Sequence, residues 1–413
     1  MPARKEAVEM DVLQSIQTVL IYAASFVVVL SVVVFVHEFG HFQVARWRKV
    51  AIDTFSIGFG KTLVGWRDRQ GVQWKIGALP LGGYVKFADD ADAMSTAPRE
   101  AIEDPAALAE ARRKGLFHAQ SLTTRSLVVA AGPTTNFIFS IFAFALLALL
   151  VGRDTTDVST IPARIGGVAQ GGAAAAAGIE PGDIVRSING VTIPNFEALR
   201  ARVGASANTP LVLGIERDGQ PLQITVTPTS APSNLQQGPR AGQGLLGVNG
   251  PMVLQSERQV EPYGVTEAIS MGAQNTWGII AQTGAYIGAV FSGRESGNQI
   301  AGPLGIINVS GQVATSALDL PQATVGERAR MLGLALLNLA AVLSVAVGFV
   351  NLLPIPILDG GHLLFYGIEA ARGGKPIPPV AQEWAYRAGF AVMGSLFLFA
   401  TWNDITRLFP GAQ

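Results

Sequence analysis

Val19-Leu20-Ile21-Tyr22-Ala23-Ala24-Ser25-Phe26-Val27-Val28-Val29-Leu30-Ser31-Val32-Val33-Val34-Phe35-Val36 runs without a charge directly into His37-Glu38-Phe39-Gly40-His41. The apolar run is long enough to cross a bilayer as a helix, the form that satisfies every backbone group inside the segment. If the helix continues, the two histidines stand four positions apart and project from one face, so both imidazoles can grip a single Zn²⁺. The glutamate between them is placed to take a proton from the attacking water, and the pattern points to metal-assisted hydrolysis in or at the edge of a membrane. With only four histidines in the chain, chance is a weak account of the spacing. The bland alternative is a pair of helix-surface histidines at a membrane boundary, satisfied by water or headgroups.

The whole chain agrees with a mixed membrane and soluble architecture. Its 413 residues are 49% hydrophobic and 15% charged, and the mean hydropathy is +0.35. That is too apolar for an ordinary soluble enzyme. The net charge is zero, which leaves no basic field to attract nucleic acid. There is no cysteine, so disulfides and thiolate ligands are excluded and any metal must be held by histidine and carboxylate.

Four spans are expected: Val19–Val36, Leu127–Val151, Leu332–Leu353 and, the shortest, Ala388–Trp402. The first is too long for the core of a signal peptide and lacks a small-residue cleavage pattern, so it is expected to be retained. Arg46, Arg48 and Lys49 follow span one, and Arg112, Arg113, Lys114 and Arg125 precede span two. The positive-inside rule then makes the loop between them cytoplasmic and the region between spans two and three extracytoplasmic. Arg328 and Arg330 near span three run mildly against that orientation. Tyr263–Phe291 is apolar but interrupted by Glu267, Gln274, Asn275 and Gln282, and is expected to be an amphipathic helix at the outer interface.

A two-histidine helix needs a third ligand from elsewhere. Asn351-Leu352-Leu353-Pro354-Ile355-Pro356-Ile357-Leu358-Asp359-Gly360-Gly361 supplies a carboxylate at the end of span three, behind two helix-breaking prolines and ahead of two glycines. A carboxylate at that depth is costly, which marks Asp359 as the natural third ligand, against the alternative of a capping or turn residue. Spans one and three run in the same direction, so both motifs end at the same depth. His362 is read as an outer partner or alternative ligand, or as packing, and His118 as a solvated surface residue.

Ile52–Phe87 reads as short strands and turns, at Phe55–Gly60, Val72–Ile76 and Leu81–Phe87. It is either a hairpin packing on the helices or a β-element beside the metal whose edge could hold an unwound substrate by strand addition. Residues 88–115 read as a charged, Ala-rich loop with room for one helix. Gly178-Ile179-Glu180-Pro181-Gly182-Asp183-Ile184-Val185-Arg186-Ser187-Ile188-Asn189-Gly190, followed by strands at Leu211–Ile215 and Leu222–Val226, resembles a PDZ domain of the bacterial protease type. One copy is found. The resemblance implies binding of extended peptides, with Ile165, Gly166, Gly167 and Val168 as the expected carboxylate-binding strand, or a use as a size barrier only.

Together these features resemble the site-2 protease family of intramembrane zinc metalloproteases, of the bacterial RseP type. The resemblance rests on H-E-F-G-H, G-F-G and G-G-Y-V-K in the β-element, Ala131-Gly132-Pro133-x-x-Asn136, the PDZ segment, Gly302-Pro303-Leu304-Gly305-Ile306 and N-x-x-P-x-P-x-L-D-G-G. It implies that His37, His41 and Asp359 ligate Zn²⁺, that Glu38 is the catalytic base, and that Asn351 with Gly82, Gly83 and Tyr84 positions an unwound substrate. It also implies single-span membrane substrates, such as anti-sigma factors or signal-peptide remnants, an upstream site-1 type protease, and residence in the bacterial inner membrane. The expected fold is an α-helical polytopic membrane protein with a membrane-associated β-element and an extracytoplasmic α+β PDZ domain. Its expected divisions are helix one (1–51), cytoplasmic-side β-element and loop (52–120), helix two (121–152), PDZ domain (153–232), linker and interfacial helix (233–330), helix three (331–361), and a loop with helix four (362–413). The competing functions are a non-proteolytic PDZ scaffold with a structural metal and a membrane-bound peptidase for soluble peptides.

Overall fold

The structure is a computed structural model that describes residues 2–88, 102, 104–232, 240–320 and 323–408. It divides into two compact units, residues 1–150 with 264–413, and residues 151–263. Among the described residues of the first unit, four helical stretches are long and apolar enough to cross a membrane: Ser15–Trp47, Leu122–Val151, Val325–Asn351 and Pro379–Arg407. They coincide with the four expected spans, each longer than the hydropathy suggested.

Helix α1 (Pro2–Trp47) buries a stripe at Phe26, Val29, Val33, His37 and Gly40 while Val28 and Val32 stay exposed. The spacing of three and four residues is one helix face, and the opposite face is as apolar as the packed one, as suits a helix in lipid. Strands β1 (Ile52–Arg67) and β2 (Gln73–Phe87) follow. They are two long bent strands rather than three short ones. Residues 52–57 pair with 83–87 on one side, and residues 54–57 with 73–76 on the other, while 62–67 pair with 73–77. The bends fall at Gly58 (φ +83°), Gly60 (φ +82°) and Gly82 (φ +129°), in a region of backbone space that side chains other than glycine rarely enter. Among the described residues, 83–87 acquire no second partner strand, and they lie along α1.

The loop after β2 contains α2 (Pro105–Arg113), capped by the Asp104 carboxylate accepting from the amides of Ala106 and Ala107; residues 89–101 and 103 of that expected loop lie outside the described residues. Helix α3 (Leu122–Val151) carries Pro133 in its interior.

The second unit begins there. Its five-stranded antiparallel sheet orders Ala163–Arg164, Ile184–Ile188, Leu211–Arg217 and Gln220–Val226, with Val191–Thr192 on Ile184–Ile188. Short helices α4 (Ala173–Ala176) and α5 (Phe196–Gly204) complete a core of Ile165, Ile188, Leu199 and Leu213. The unit extends past residue 232, because Val248–Asn249 pairs with Gly167–Val168. Asp183, only 1% exposed, holds the turn into the central strand: it accepts from Arg217 Nε and Nη2 at 2.7 Å each and from the Glu180 amide at 2.9 Å. Burial pushes this carboxyl up, but the Arg217 guanidinium and the Glu180 amide outweigh it and hold it below the ordinary aspartate range.

A lowered folded-state value contributes stability above the unfolded value of about 3.9, lost as pH falls through the folded one. Arg217→Ala should therefore destabilise this unit at neutral pH, because it leaves the 1% exposed Asp183 carboxylate without its cation. Hydrogen exchange of the amides at Ile184–Ile188 checks it. Acidification below about pH 4 should erase much of the difference between variant and parent.

Helices α6 (Val265–Phe291), α7 (Pro303–Leu318), α8 (Val325–Asn351), α9 (Asp359–Ala371) and α10 (Pro379–Leu408) finish the first unit. The expected amphipathic helix at Tyr263–Phe291 is α6, and its polar Gln274, Asn275 and Gln282 are exposed. Its small-residue stripe, Ala268, Gly272 and Thr276, is buried, with Gly272 against the Ile141 backbone of α3 and Ile279 packed near Phe144. The expected linker at 233–330 is a correction of substance: it also holds α7, which packs on α1 and α8, with Gly311 pressed on the Tyr22 ring. The Asp404 carboxylate of α10 accepts from the Gly302 and Gly305 amides and so caps α7 from another helix.

Candidate functional site

Helix α3 is the template on which the site is assembled. Gly40 of α1 sits against the Ala131 carbonyl and Thr135 of α3, and Gly348 of α8 sits against Asn136 and the Pro133 carbonyl. Two hydroxyls bind α3 to α8 across this close contact, Ser140 Oγ donating to Ala341 O at 2.8 Å and Ser344 Oγ donating to Asn136 O at 3.1 Å. Small residues with crossed hydroxyl bonds are the usual means of helix association in lipid.

After α8 the chain breaks at Pro354 and Pro356, passes through Ile357 at φ +136°, and re-enters helix at Asp359. A β-branched residue at that φ is strained, and the surroundings hold it there. Gly360 abuts the carbonyls of Leu352 and Leu353, Gly361 the carbonyl of Ile355, and Gly389 of α10 the carbonyl of Pro356. A side chain at any of the three would push the loop outward. The far end of α9 is tied to the start of α3 by Arg125, which pairs with both oxygens of buried Glu369 and stacks over Tyr366 at 4.9 Å.

This packing brings His37, His41 and Asp359 together. His37 Nε2 and His41 Nε2 are 3.2 Å apart, and Asp359 Oδ2 is 3.2 Å from the first and 3.4 Å from the second. Tetrahedral zinc with ligands at about 2.0–2.1 Å requires donor separations of about 3.3 Å. The three atoms already have that spacing. Asp359 Oδ2 is buried and has no hydrogen-bond donor, an orphan that a cation between the three donors would satisfy. Among the described residues these three form a group that could hold a metal ion.

Each imidazole is fixed from behind by α3. His41 Nδ1 donates to the Val128 carbonyl at 2.8 Å, which leaves the Nε2 lone pair facing the cluster. His37 Nδ1 lies 3.1 Å from Nδ2 of the Asn136 side-chain amide, which is fully buried. Gly132 passes directly beneath both rings: a methyl there would overlap His41 Nε2 and reach His37 Cε1 at 2.9 Å.

The cluster opens into a cavity of about 730 Å³ lined by Glu38, Gly83, Tyr84, Val85, Asn351 and His362, among others. Glu38 points across it toward the edge strand, with the Val85 amide facing its carboxylate and Gly83 close to its Cγ. Asn351, Gly83 and Tyr84 line the cavity, whereas Gly82 forms the strand bend against Phe59. His362 is outside the donor triplet, packed near Phe365 and Tyr386. His118 is corrected: it is half-buried and lines the same cavity. Ile165–Val168 belong to the second unit, and their edge is taken. Gly166 N donates to Asn249 O and Ala169 N to Gly247 O, both at 2.8 Å, so an added peptide strand would have to displace the chain's own residues 247–249. Sequence reasoning passed over Val128 and Asn136 as partners of the histidines. The lone asparagine in an uncharged span carried the signal, since a polar side chain in a membrane helix requires a partner.

Comparison with known proteins gives the family. The profile described as Peptidase family M50 matches residues 25–396. A Rhizobium meliloti (strain 1021) protein named as a zinc metalloprotease is 41% identical over 386 residues, 93% of this chain and 96% of its own. A similarly named Agrobacterium fabrum protein is 40% identical over 387 residues, 94% of this chain and 96% of its own. Metalloprotease MmpA of Caulobacter vibrioides is 37% identical over 396 residues, 94% of this chain and 96% of its own. The family uses zinc, and the donor triplet of this chain could hold it. The chain therefore belongs to peptidase family M50, the site-2 protease family of membrane zinc metalloproteases.

Proposed function

We propose that the protein is an intramembrane-cleaving zinc endopeptidase that hydrolyses peptide bonds in or near the membrane segment of single-span proteins. The observation that carries this reading is the donor spacing of 3.2, 3.2 and 3.4 Å among His37 and His41, inside the apolar helical stretch Ser15–Trp47, and Asp359 at the start of α9. In this reading those three residues are the ligands, and zinc supplies Lewis-acid polarisation of the scissile carbonyl and acidifies water. Glu38 accepts the proton of the attacking water and returns it to the leaving amine.

A helical substrate has its amides bonded internally and must unwind first. The second edge of residues 83–87, which pairs with no strand among the described residues, borders the cavity and can take up the freed backbone groups, with Asn351 holding the chain on the opposite side. The second unit is proposed to be a PDZ domain outside the cytoplasm that screens substrates already shortened by an upstream protease, and the protein to reside in the bacterial inner membrane. The antiparallel sheet with its two short helices supports the domain assignment, and the basic residues flanking the loop between α1 and α3 support the orientation.

Protein reconstituted in bilayers with a single-span substrate should cleave it, and faster when glycine or proline is placed near the scissile bond. Stripping the metal with a chelator should abolish cleavage, and added Zn²⁺ should restore it. Equal cleavage of soluble peptides and embedded substrate would replace this reading with a surface peptidase. No cleavage by the zinc-loaded protein of any substrate tried, alongside peptide capture by the second unit, would favour a scaffold.

A further inference from the structure

We infer that Asn136 is a positioning residue for the metal site, selecting the tautomer of His37 through the oxygen of its side-chain amide. The inference rests on the ligand assignment proposed above. A neutral imidazole that gives one nitrogen to a metal must carry its proton on the other. For His41 the choice is settled by the Val128 carbonyl, which can only accept. For His37 the facing group is the Asn136 amide, at 0% exposure and so beyond reach of bulk water.

An amide has two ends of opposite character. Its nitrogen can only donate to His37 Nδ1, which would drive the imidazole proton onto Nε2 and remove the lone pair from the Asp359 side. Its oxygen accepts from Nδ1–H and leaves Nε2 free. Asn136 Oδ1 is buried without a donor, and an acceptor stranded in a dry helix interface is costly. Half a turn of the amide about its last torsion exchanges the two ends at no cost in volume and satisfies that oxygen. The Nδ1–H of a metal-bound His37 is therefore the donor that this oxygen lacks, and the two events support each other. The main chain of Asn136 is held independently, by Ser140 and Ser344 hydroxyls on its carbonyl, so the side chain is left to this task.

The test measures Zn²⁺ affinity of the purified full-length protein by chelator competition, a readout separate from turnover. Asn136→Leu, close in volume and without an acceptor, should weaken zinc binding about 10–100-fold, the usual effect of losing a ligand's hydrogen-bond partner. Asn136→Asp, which keeps an acceptor and cannot donate, should bind within a few-fold of the parent or more tightly. Ser344→Ala, which removes one hydroxyl from the Asn136 carbonyl and leaves its side chain alone, should bind as the parent does. Wild-type affinity in Asn136→Leu overturns the inference, as does an equal loss in Ser344→Ala, which would mean that only helix packing matters. That pair decides even if the buried carboxylate of Asn136→Asp prevents folding. His37→Ala separates the two levels. If it keeps full zinc affinity the ligand assignment itself is wrong, whereas a loss there with none in Asn136→Leu defeats only the role of Asn136.

Discussion

Glu38→Gln should lose at least about 10²–10⁴-fold in hydrolysis while binding zinc as the parent does. The side chain lies in the same cavity as the donor triplet without belonging to it. It is packed against the edge strand, close to Gly83, with the Val85 amide facing its carboxylate. Glutamine fills the same volume and can still accept from that amide, so neither the strand contact nor the α1 packing has a reason to change. What it cannot do is take a proton from water. A single-turnover assay at saturating substrate isolates that step, because binding and product release then drop out of the measured rate. Chelator competition on the same preparation establishes that zinc is retained. Full hydrolysis by the zinc-loaded variant would remove Glu38 from the chemistry and force a search for another base in the cavity.

The parts of this site visible in the sequence are those in which one local pattern carries the chemistry. H-E-x-x-H on an apolar helix gives two ligands at a fixed four-residue spacing, and an aspartate behind two prolines at a span end has few other uses. The structure joins them at 3.2–3.4 Å. The spans were legible for a related reason, since hydropathy reports the solvent directly. Their ends were less so, because a helix such as Pro379–Leu408 continues past its apolar stretch until something stops it.

Features that depend on which element covers which were beyond local reading. Helix α7 has 16 residues, short for a span, and its Asn308, Ser310 and Gln312 dilute any periodic signal. Its place is set by a capping carboxylate about a hundred residues away at Asp404, and by a glycine at position 311 that lets Tyr22 approach. Bent β1 and β2 show the same limit. Glycines at 58, 60 and 82 announced turns, but only the pairing register reveals that residues 54–57 have partners on both sides while 83–87, among the described residues, have a partner on one side only. In the second unit, the two-residue strand Val248–Asn249 is too short to leave a pattern, and it occupies the edge at Gly167–Val168 where a peptide was expected.

Gly132→Ala should weaken zinc binding about 10–100-fold and reduce turnover further, with no loss of helical content. The added methyl overlaps His41 Nε2 and comes within 2.9 Å of His37 Cε1, the ring atoms turned toward the metal. Helix α3 cannot retreat to make room. Gly40 is already against the Ala131 carbonyl and Thr135 on one side, and Gly348 against Asn136 and the Pro133 carbonyl on the other. The rings must move instead, and overpacking of this kind costs about 1–3 kcal/mol, or about 5- to 150-fold in an equilibrium that needs the rings in place. Turnover should fall by more than affinity, because even a metal that still binds would be displaced relative to Glu38 and the edge strand, and about 1 Å of misplacement can cost 10²-fold. Local helix propensity acts with the opposite sign, favouring alanine over glycine by about 1 kcal/mol. A general effect of Gly→Ala in these helices is controlled by Gly333→Ala on α8, where a methyl would meet nothing within 4 Å. Parent-like zinc affinity and turnover in Gly132→Ala would mean that the imidazoles do not lie over α3 as described, and the assembly of the site on that helix would have to be abandoned.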